Sequence, residues 1–157
     1  MRRCQDTINP RTRSDVMTLA NVPPSDAKSM HPYEYARVIN IFHANVKFTH
    51  PDTNVTKIHK MDFLFVRWFG LDVTKKTGWK AKKLHQIGFL DSTNSDAFGF
   101  LDPADVVRAI HLIPRFSLGR TGDLLGPSIA RSLVEKNEDW ERYYIGMYVS
   151  AGIPSFI

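Results

Sequence analysis

The chain has 157 residues, of which 43% are hydrophobic and 11% aromatic, a size and composition typical of one globular domain with its own apolar core. The single cysteine, Cys4, cannot form a disulfide within the chain, which favours a reducing compartment. No apolar run approaches the ~18 residues of a transmembrane helix, and none follows the N-terminal arginines as in a secretory signal, so we expect a protein that is neither secreted nor membrane-bound.

The predicted elements begin after an N-terminal leader. Residues 1–29 are polar, contain three prolines and lack a sustained apolar period, which predicts a disordered segment that the fold does not need. A single β-rich domain is predicted over residues 30–150, and residues 151–157 form a short tail.

Three strands are predicted in the first half of the domain. Residues 33–46 are dense in β-branched and aromatic side chains, which favours a strand that is apolar on both faces, although a helical period fits the same segment. Residues 61–69 are strand formers that end at Gly70, and residues 84–90 form a third strand that a polar turn closes.

The second half is predicted to mix short elements with loops. Asp102 stands directly before Pro103, with Asp105 in the first turn, which predicts one helical turn. A strand over residues 106–113 is expected to follow. Residues 115–136 are rich in glycine and proline and predict a long surface segment with a short helix at 127–133. A last strand is predicted at 140–149.

Five short strands at close intervals, with one or two short helices, predict a mainly β fold. We expect a small, strongly bent sheet or an SH3-like barrel of the kind found in Tudor and bromo-adjacent-homology domains.

Positive charge is concentrated in the middle of the chain. Residues 28–90 contain eleven lysines and arginines against four acids, whereas residues 91–157 contain six against nine. Such a distribution favours nucleic acid or another polyanion as a partner. The residues predicted to contact nucleic acid are Arg67, Lys75, Lys76, Trp79, Lys80, Lys82, Lys83 and His85. The alternative is a solvated hairpin whose lysines only protect a sheet edge from aggregation.

The sequence offers no pattern for chemistry. The six histidines are not paired at helical spacing, and no pair of cysteines accompanies them, so neither a metal site nor a cofactor is predicted. We find no nucleophile motif and predict no catalytic residue. A separate hypothesis is an aromatic cage for methylated lysine, formed by Tyr35, Trp68, Phe69 and Trp79.

Several segments carry a resemblance to a known family. They are MDFLFVRWFG at 61–70, GWKAKKLHQIGF at 78–89, FGFLDPADVVRAIHLIP at 98–114, GRTGDLLGPSIAR at 119–131 and, more weakly, DWERYYIGMYV at 139–149. In order and spacing they resemble the C-terminal segment of fungal Plavaka-type transposases, in the Kyakuja–Dileera–Zisupton group of DNA transposons.

The resemblance implies a non-catalytic accessory module that binds nucleic acid or chromatin in the nucleus, because the catalytic part of that family lies upstream of the matching segment. The cytoplasm is the alternative location. Two other interpretations stay open: a protein-interaction or self-association domain, and a decayed transposon fragment without selected function. The ending, SAGIPSFI at 150–157, departs from the family pattern.

Overall fold

The computed structural model describes residues 8–12, 14–20, 31–74, 77–78, 81–131 and 135–146. Within these ranges the fold is mainly β, as predicted. The strands are β1 (Asp15–Leu19), β2 (Tyr33–Thr49), β3 (Thr56–Leu71), β4 (Gln86–Phe89), β5 (Phe98–Leu101), β6 (Val106–Ala109), β7 (His111–Pro114), β8 (Arg120–Thr121), β9 (Asp139–Trp140) and β10 (Tyr143–Gly146).

Eight of these strands form one antiparallel sheet. Its order is β6-β1-β2-β3-β4-β10-β7, and β5 pairs with β3 beside this path. The strands at the two ends, β6 and β7, are separated only by Ile110. One segment therefore pairs with β1 through its first half and with β10 through its second half. The SH3-like barrel stays a prediction. Strands β8 and β9 form a small second sheet.

Strand β1 lies within the segment predicted to be a disordered leader, and for these residues that prediction is wrong. The strand is inserted between β2 and β6, and Val16 and Thr18 are buried at 0% and 3% exposure. Five residues are too short a stretch to show a clear period in the sequence. Its partners Arg37 and Ala109 are distant in sequence. Residues 1–7, 13 and 21–29 lie outside the described part.

Strands β2 and β3 confirm two predicted strands and extend both. Their ladder runs from Tyr35 opposite Phe69 to Thr49 opposite Thr56, with an irregularity between Val38 and Asn40. The helical alternative for the first segment is therefore wrong. Strand β4 confirms the third prediction.

The second half differs more from expectation. The 3₁₀ turn at Pro103–Asp105 is confirmed, and the Asp102 carboxylate accepts a hydrogen bond from the Ala104 amide at 2.8 Å. The strand predicted at 106–113 is divided into β6 and β7 at Ile110. No helix occurs over the described residues 127–131; a 3₁₀ turn lies instead at Phe116–Leu118. Strand β5 was not predicted, and residues 147–149 of the last predicted strand lie outside the described residues.

The β2–β3 hairpin separates two apolar cores. Alternate residues of a strand point to opposite faces, so Tyr35 and Phe69 enter one core with Ile87, Phe89 and Tyr143. The other core is formed by Val16, Ala36, Val38, Leu64, Val66 and Leu101. Hairpin side chains are buried where their face of the sheet packs against one of these cores, and exposed where the hairpin extends beyond both cores.

Candidate binding surfaces

Arg67 does not belong to the predicted nucleic-acid surface, and this part of the prediction is wrong. Its side chain is 1% exposed, and its guanidinium carbon lies 3.8 Å from the centre of the Phe89 ring. The Nη2 atom makes an ion-pair contact of 2.9 Å with Asp139 Oδ2, without the alignment of a hydrogen bond. Buried arginines need such a partner, because an unpaired buried charge is very costly.

Asp139 joins Arg67 to a second arginine. Arg131 Nη2 and Nε donate to the two carboxylate oxygens at 2.8 and 3.1 Å. Burial alone opposes ionisation of Asp139, but the hydrogen bonds from Arg131 and the positive charges of Arg67 and Arg131 outweigh it and hold the pKa of Asp139 below the ordinary value. This cluster is a structural one: it fastens the segment around β9 to the centre of β3.

The segment between β3 and β4, residues 72–85, is called here the basic loop. Among its predicted contact residues, Lys75, Lys76, Trp79 and Lys80 lie outside the described part of the chain. Lys82 and Lys83 are described, and both side chains are exposed. The Gly78 amide donates to the Lys83 carbonyl at 2.7 Å, and the Lys83 amide donates back at 3.3 Å. The backbone of this turn is therefore held in place beneath two exposed lysines.

His85 lies at the base of the basic loop and is half-buried. Its Nδ1 atom is 2.9 Å from Thr77 Oγ1, and its ring lies 4.6 Å from the ring of His31. Burial lowers the pKa of His85, and burial together with the charge of His85 lowers the pKa of His31 to about 4. His85 therefore adds no positive charge to the loop at neutral pH.

Sequence reasoning missed one cation near the basic loop. Arg115, which follows β7, places Nη1 2.9 Å from the side-chain oxygen of Gln86, the first residue after the loop. The two residues are 29 positions apart, so only the pairing of β7, β10 and β4 brings them together. The periodicity of the single strands contains no signal for this approach.

The far half of the β2–β3 hairpin forms a second surface, which we call the ribbon: residues 43–49, the turn at 50–55, and residues 56–62. Strand β1 flanks β2 only at Tyr33–Arg37, and β5 flanks β3 only at Leu64–Arg67. Beyond these positions neither edge of the ribbon pairs with another described strand. The ribbon is consequently solvated on both edges.

One face of the ribbon is apolar and continues onto the sheet; we call it the apolar strip. Side chains of cross-strand partners lie on the same face of a sheet. The pairing register therefore places the apolar side chains of the strip together on one face. The rings make a chain of contacts: Phe42 with Phe63 at 5.4 Å, Phe63 with Phe100 at 5.5 Å, and Phe65 with Phe100 at 5.4 Å. The strip consists of Phe42, Ala44, Val46, Phe48, Met61, Phe63, Phe65, Phe98 and Phe100.

Much of the strip is exposed to solvent. The exposed fractions are 68% for Phe100, 53% for Phe48 and 39% for Phe42, with Met61 at 50% and Val46 at 41%. Large apolar side chains that are contiguous and exposed are uncommon on monomeric proteins and mark interaction sites.

The opposite face of the ribbon is mostly polar. His43 Nδ1 lies 2.7 Å from Asp62 Oδ1, and the hydrogen bond from His43 is the main reason why the pKa of Asp62 is lowered. Lys47 and Lys60 are exposed on this face, as is one large apolar residue, Ile58.

The two surfaces are far apart. The ribbon turn precedes the first residue of β3, Thr56, and the basic loop follows its last, Leu71. At about 3.3 Å per residue, the strand places the tip of the ribbon roughly 50 Å from the basic loop, and Asp62 at the other end of the ribbon roughly 30 Å from it. A small ligand at the basic loop therefore does not contact the ribbon.

The aromatic-cage hypothesis is wrong for its described members. Tyr35 and Phe69 are buried at 3% and 7% exposure, whereas Trp68 points to the opposite face of the sheet. Trp79, the fourth member, lies outside the described residues. A methylated lysine cannot reach rings that form the core.

Over the ranges that the structure describes, no three His, Cys, Asp or Glu side chains are grouped as metal ligands. None of the described helical segments is long and apolar enough to cross a membrane.

Comparison with known proteins gives no relative from which function can be transferred. No protein-family model, no curated protein and no solved structure matches the chain. The resemblance to Plavaka-type transposases therefore stays a prediction from the sequence segments alone.

Proposed function

We propose that this chain is a non-catalytic module that binds nucleic acid, or chromatin through its nucleic acid, with the basic loop as the phosphate-contacting element. The observation that carries the proposal is charge: five lysines and no carboxylate lie between Asp72 and Asp91. Lys82 and Lys83 are exposed on a hydrogen-bonded turn at one end of the sheet. A nuclear location belongs to the same proposal.

Binding of this kind is electrostatic and independent of base sequence. Lysine ammonium groups neutralise phosphates and release condensed counterions, which makes affinity fall steeply with salt. Arg115, half-buried beside Gln86, extends the positive surface beyond the loop. Trp79 is proposed to stack on an unpaired base, which adds about 1–3 kcal/mol to single-stranded binding.

The test removes two lysines from the basic loop and, separately, two from the ribbon. Lys82→Ala with Lys83→Ala should lower the slope of log affinity against log salt by roughly 2, because each lost phosphate contact removes about 0.9. Fluorescence anisotropy with a labelled 20-base-pair duplex between 50 and 200 mM NaCl measures that slope.

The matched control is Lys47→Ala with Lys60→Ala, which removes the same charge from exposed positions on the ribbon. It should leave the slope nearly unchanged. Equal losses for both double variants would indicate a general effect of net charge, and no binding by the unaltered protein at 50 mM NaCl would overturn the proposal.

A second candidate function is protein interaction, and the specific observation that favours it is the exposed apolar strip. The strip has no cationic side chain to contact a phosphate, apart from Lys57 beside its tip.

A further inference from the structure

We infer that the apolar strip is a self-association surface, covered in solution by the strip of a second copy that runs antiparallel to it across a twofold axis. The inference does not depend on nucleic-acid binding, because it concerns the opposite end of the hairpin.

The strip is a continuous surface. It extends from Phe48 at the ribbon tip, through the Phe42 and Phe63 pair, to Phe100 on β5. The same face of the sheet beyond it is the buried core around Phe69. The strip is thus the solvent-exposed continuation of a core face, with its side chains already held in register by the ladder.

The exposed apolar area of the strip is large enough for a stable dimer interface. With about 200 Å² for a fully buried phenylalanine, the exposed fractions of Phe42, Phe48 and Phe100 correspond to ~320 Å². Val46 and Met61 raise the apolar area to about 400 Å² per copy. Two copies supply ~800 Å², and since roughly 60% of an interface is apolar, the whole interface reaches ~1,300 Å². Stable interfaces begin near ~1,200 Å².

A second copy of the chain fits the strip as its binding partner. A twofold interface brings the same patch against itself, so the patch must be self-complementary. The strip meets this condition because its centre, at Ala44 and Met61, is uncharged. Two twisted ribbons also pack face to face with their strands nearly aligned.

The position of the charged side chain near the tip favours antiparallel packing of the two strips. Lys57 and His59 share the strip's face close to its tip. A parallel arrangement would place Lys57 against Lys57 of the partner, where like charges repel. The antiparallel arrangement separates them by the length of the strip and sets Phe48 of each copy against the Phe98 and Phe100 region of the other.

The experiment compares three glutamate variants at exposed positions. Phe48→Glu and Phe100→Glu place a charge in the strip; Ile58→Glu places one on the opposite face of the ribbon, where the side chain is 73% exposed. Sedimentation equilibrium should give about 36 kDa for the unaltered chain, twice its 18.0 kDa. Each strip variant should weaken dimerisation at least tenfold, and Ile58→Glu should not.

A second measurement tests the direction of packing even if a glutamate variant folds poorly. In a Cys4→Ser background, Phe48→Cys combined with Phe100→Cys should yield a disulfide-linked dimer on mild oxidation. Phe48→Cys alone should yield little, because the two tips lie apart.

The possible outcomes separate cleanly. A monomer at all concentrations up to about 0.5 mM would overturn the inference. Dissociation by Ile58→Glu as strong as that by the strip variants would assign association to the ribbon edges instead. The salt slope of duplex binding should be the same for Phe48→Glu monomers, so failure of one proposal leaves the other intact.

Discussion

The two halves of the β2–β3 hairpin share one ladder and differ in every other respect. In the inner half, Ala36, Val38 and Val66 are at most 1% exposed; in the outer half, Phe48 and Ile58 are 53% and 73% exposed. The inner half is apolar on both faces and packs against both cores, whereas the outer half is apolar on one face only. Strands β1 and β5 flank the inner half and end before the outer half begins.

This difference extends to charge. The inner half contains Arg67, which is buried and paired with Asp139, and the outer half contains Asp62, which is exposed and paired with His43. Removing one partner of a buried ion pair destabilises the fold strongly, whereas an exposed ion pair contributes little to stability. An ion pair therefore matters more to the stability of the fold in the inner half than in the outer half.

The largest effect is expected from placing a charge on the strand that covers the inner half. Val16→Asp buries an unpaired carboxylate at a position with 0% exposure, which should destabilise the fold by more than ~5 kcal/mol. Val46→Asp makes the same change in the outer half and should leave the monomer fold intact. Urea unfolding followed by circular dichroism compares the two. Equal stability would show that β1 is not part of the core.

The next effect concerns the buried ion cluster. Asp139→Ala leaves Arg67 and Arg131 without their shared carboxylate, and removal of one partner from a buried pair costs about 3–5 kcal/mol. Asp62→Ala, in the outer half, should produce no measurable change in the urea midpoint. A small loss for Asp139→Ala would mean that water reaches both arginines.

The smallest effect is pH-dependent and arises at the inner end of the hairpin, where His31 Nε2 contacts the Tyr35 hydroxyl at 2.7 Å. Because folding lowers the pKa of His31 from 6.5 to about 4, the unfolded chain takes up the proton first as pH falls. The contribution of His31 to stability is complete above pH 6.5 and is lost as pH falls toward 4.

His31→Gln should therefore flatten the decline of the urea midpoint between pH 6.5 and 4.5 relative to the unaltered chain. The acidic residues common to both proteins cancel in this comparison. If the urea midpoints of the two proteins declined in parallel over this pH range, the pKa of His31 would be the same in the folded and unfolded states.

The strands that the sequence could predict are those with a long local pattern or a clear boundary. Strands β2 and β3 were predicted because β-branched and aromatic residues are dense along them, the four-residue β4 because a polar turn closes it, and the 3₁₀ turn because Asp102 and Pro103 form a recognisable cap. Strands β1 and β5 were missed since four or five residues give too weak a pattern, and their partners are set by the tertiary fold.

The candidate surfaces were predictable only in part. The exposure of Lys82 and Lys83 agrees with the local charge density, and their contact with nucleic acid stays a prediction. Arg67 was misplaced because arginine is usually a surface residue, and its partner Asp139 lies far along the chain. The exposure of the ribbon had no sequence signal, because it depends on where the neighbouring strands end.

The β2–β3 ladder also has a consequence for the order of folding. Its fourteen paired positions join segments that are adjacent in sequence, so the entropy lost on closing the loop is small. The pairing of Val16 with Ala109 closes a loop of about 90 residues, a contact of high order that slows folding. We expect the hairpin to form first and strand β1 to dock late. Mutations at Val16 should then mainly accelerate unfolding rather than slow folding.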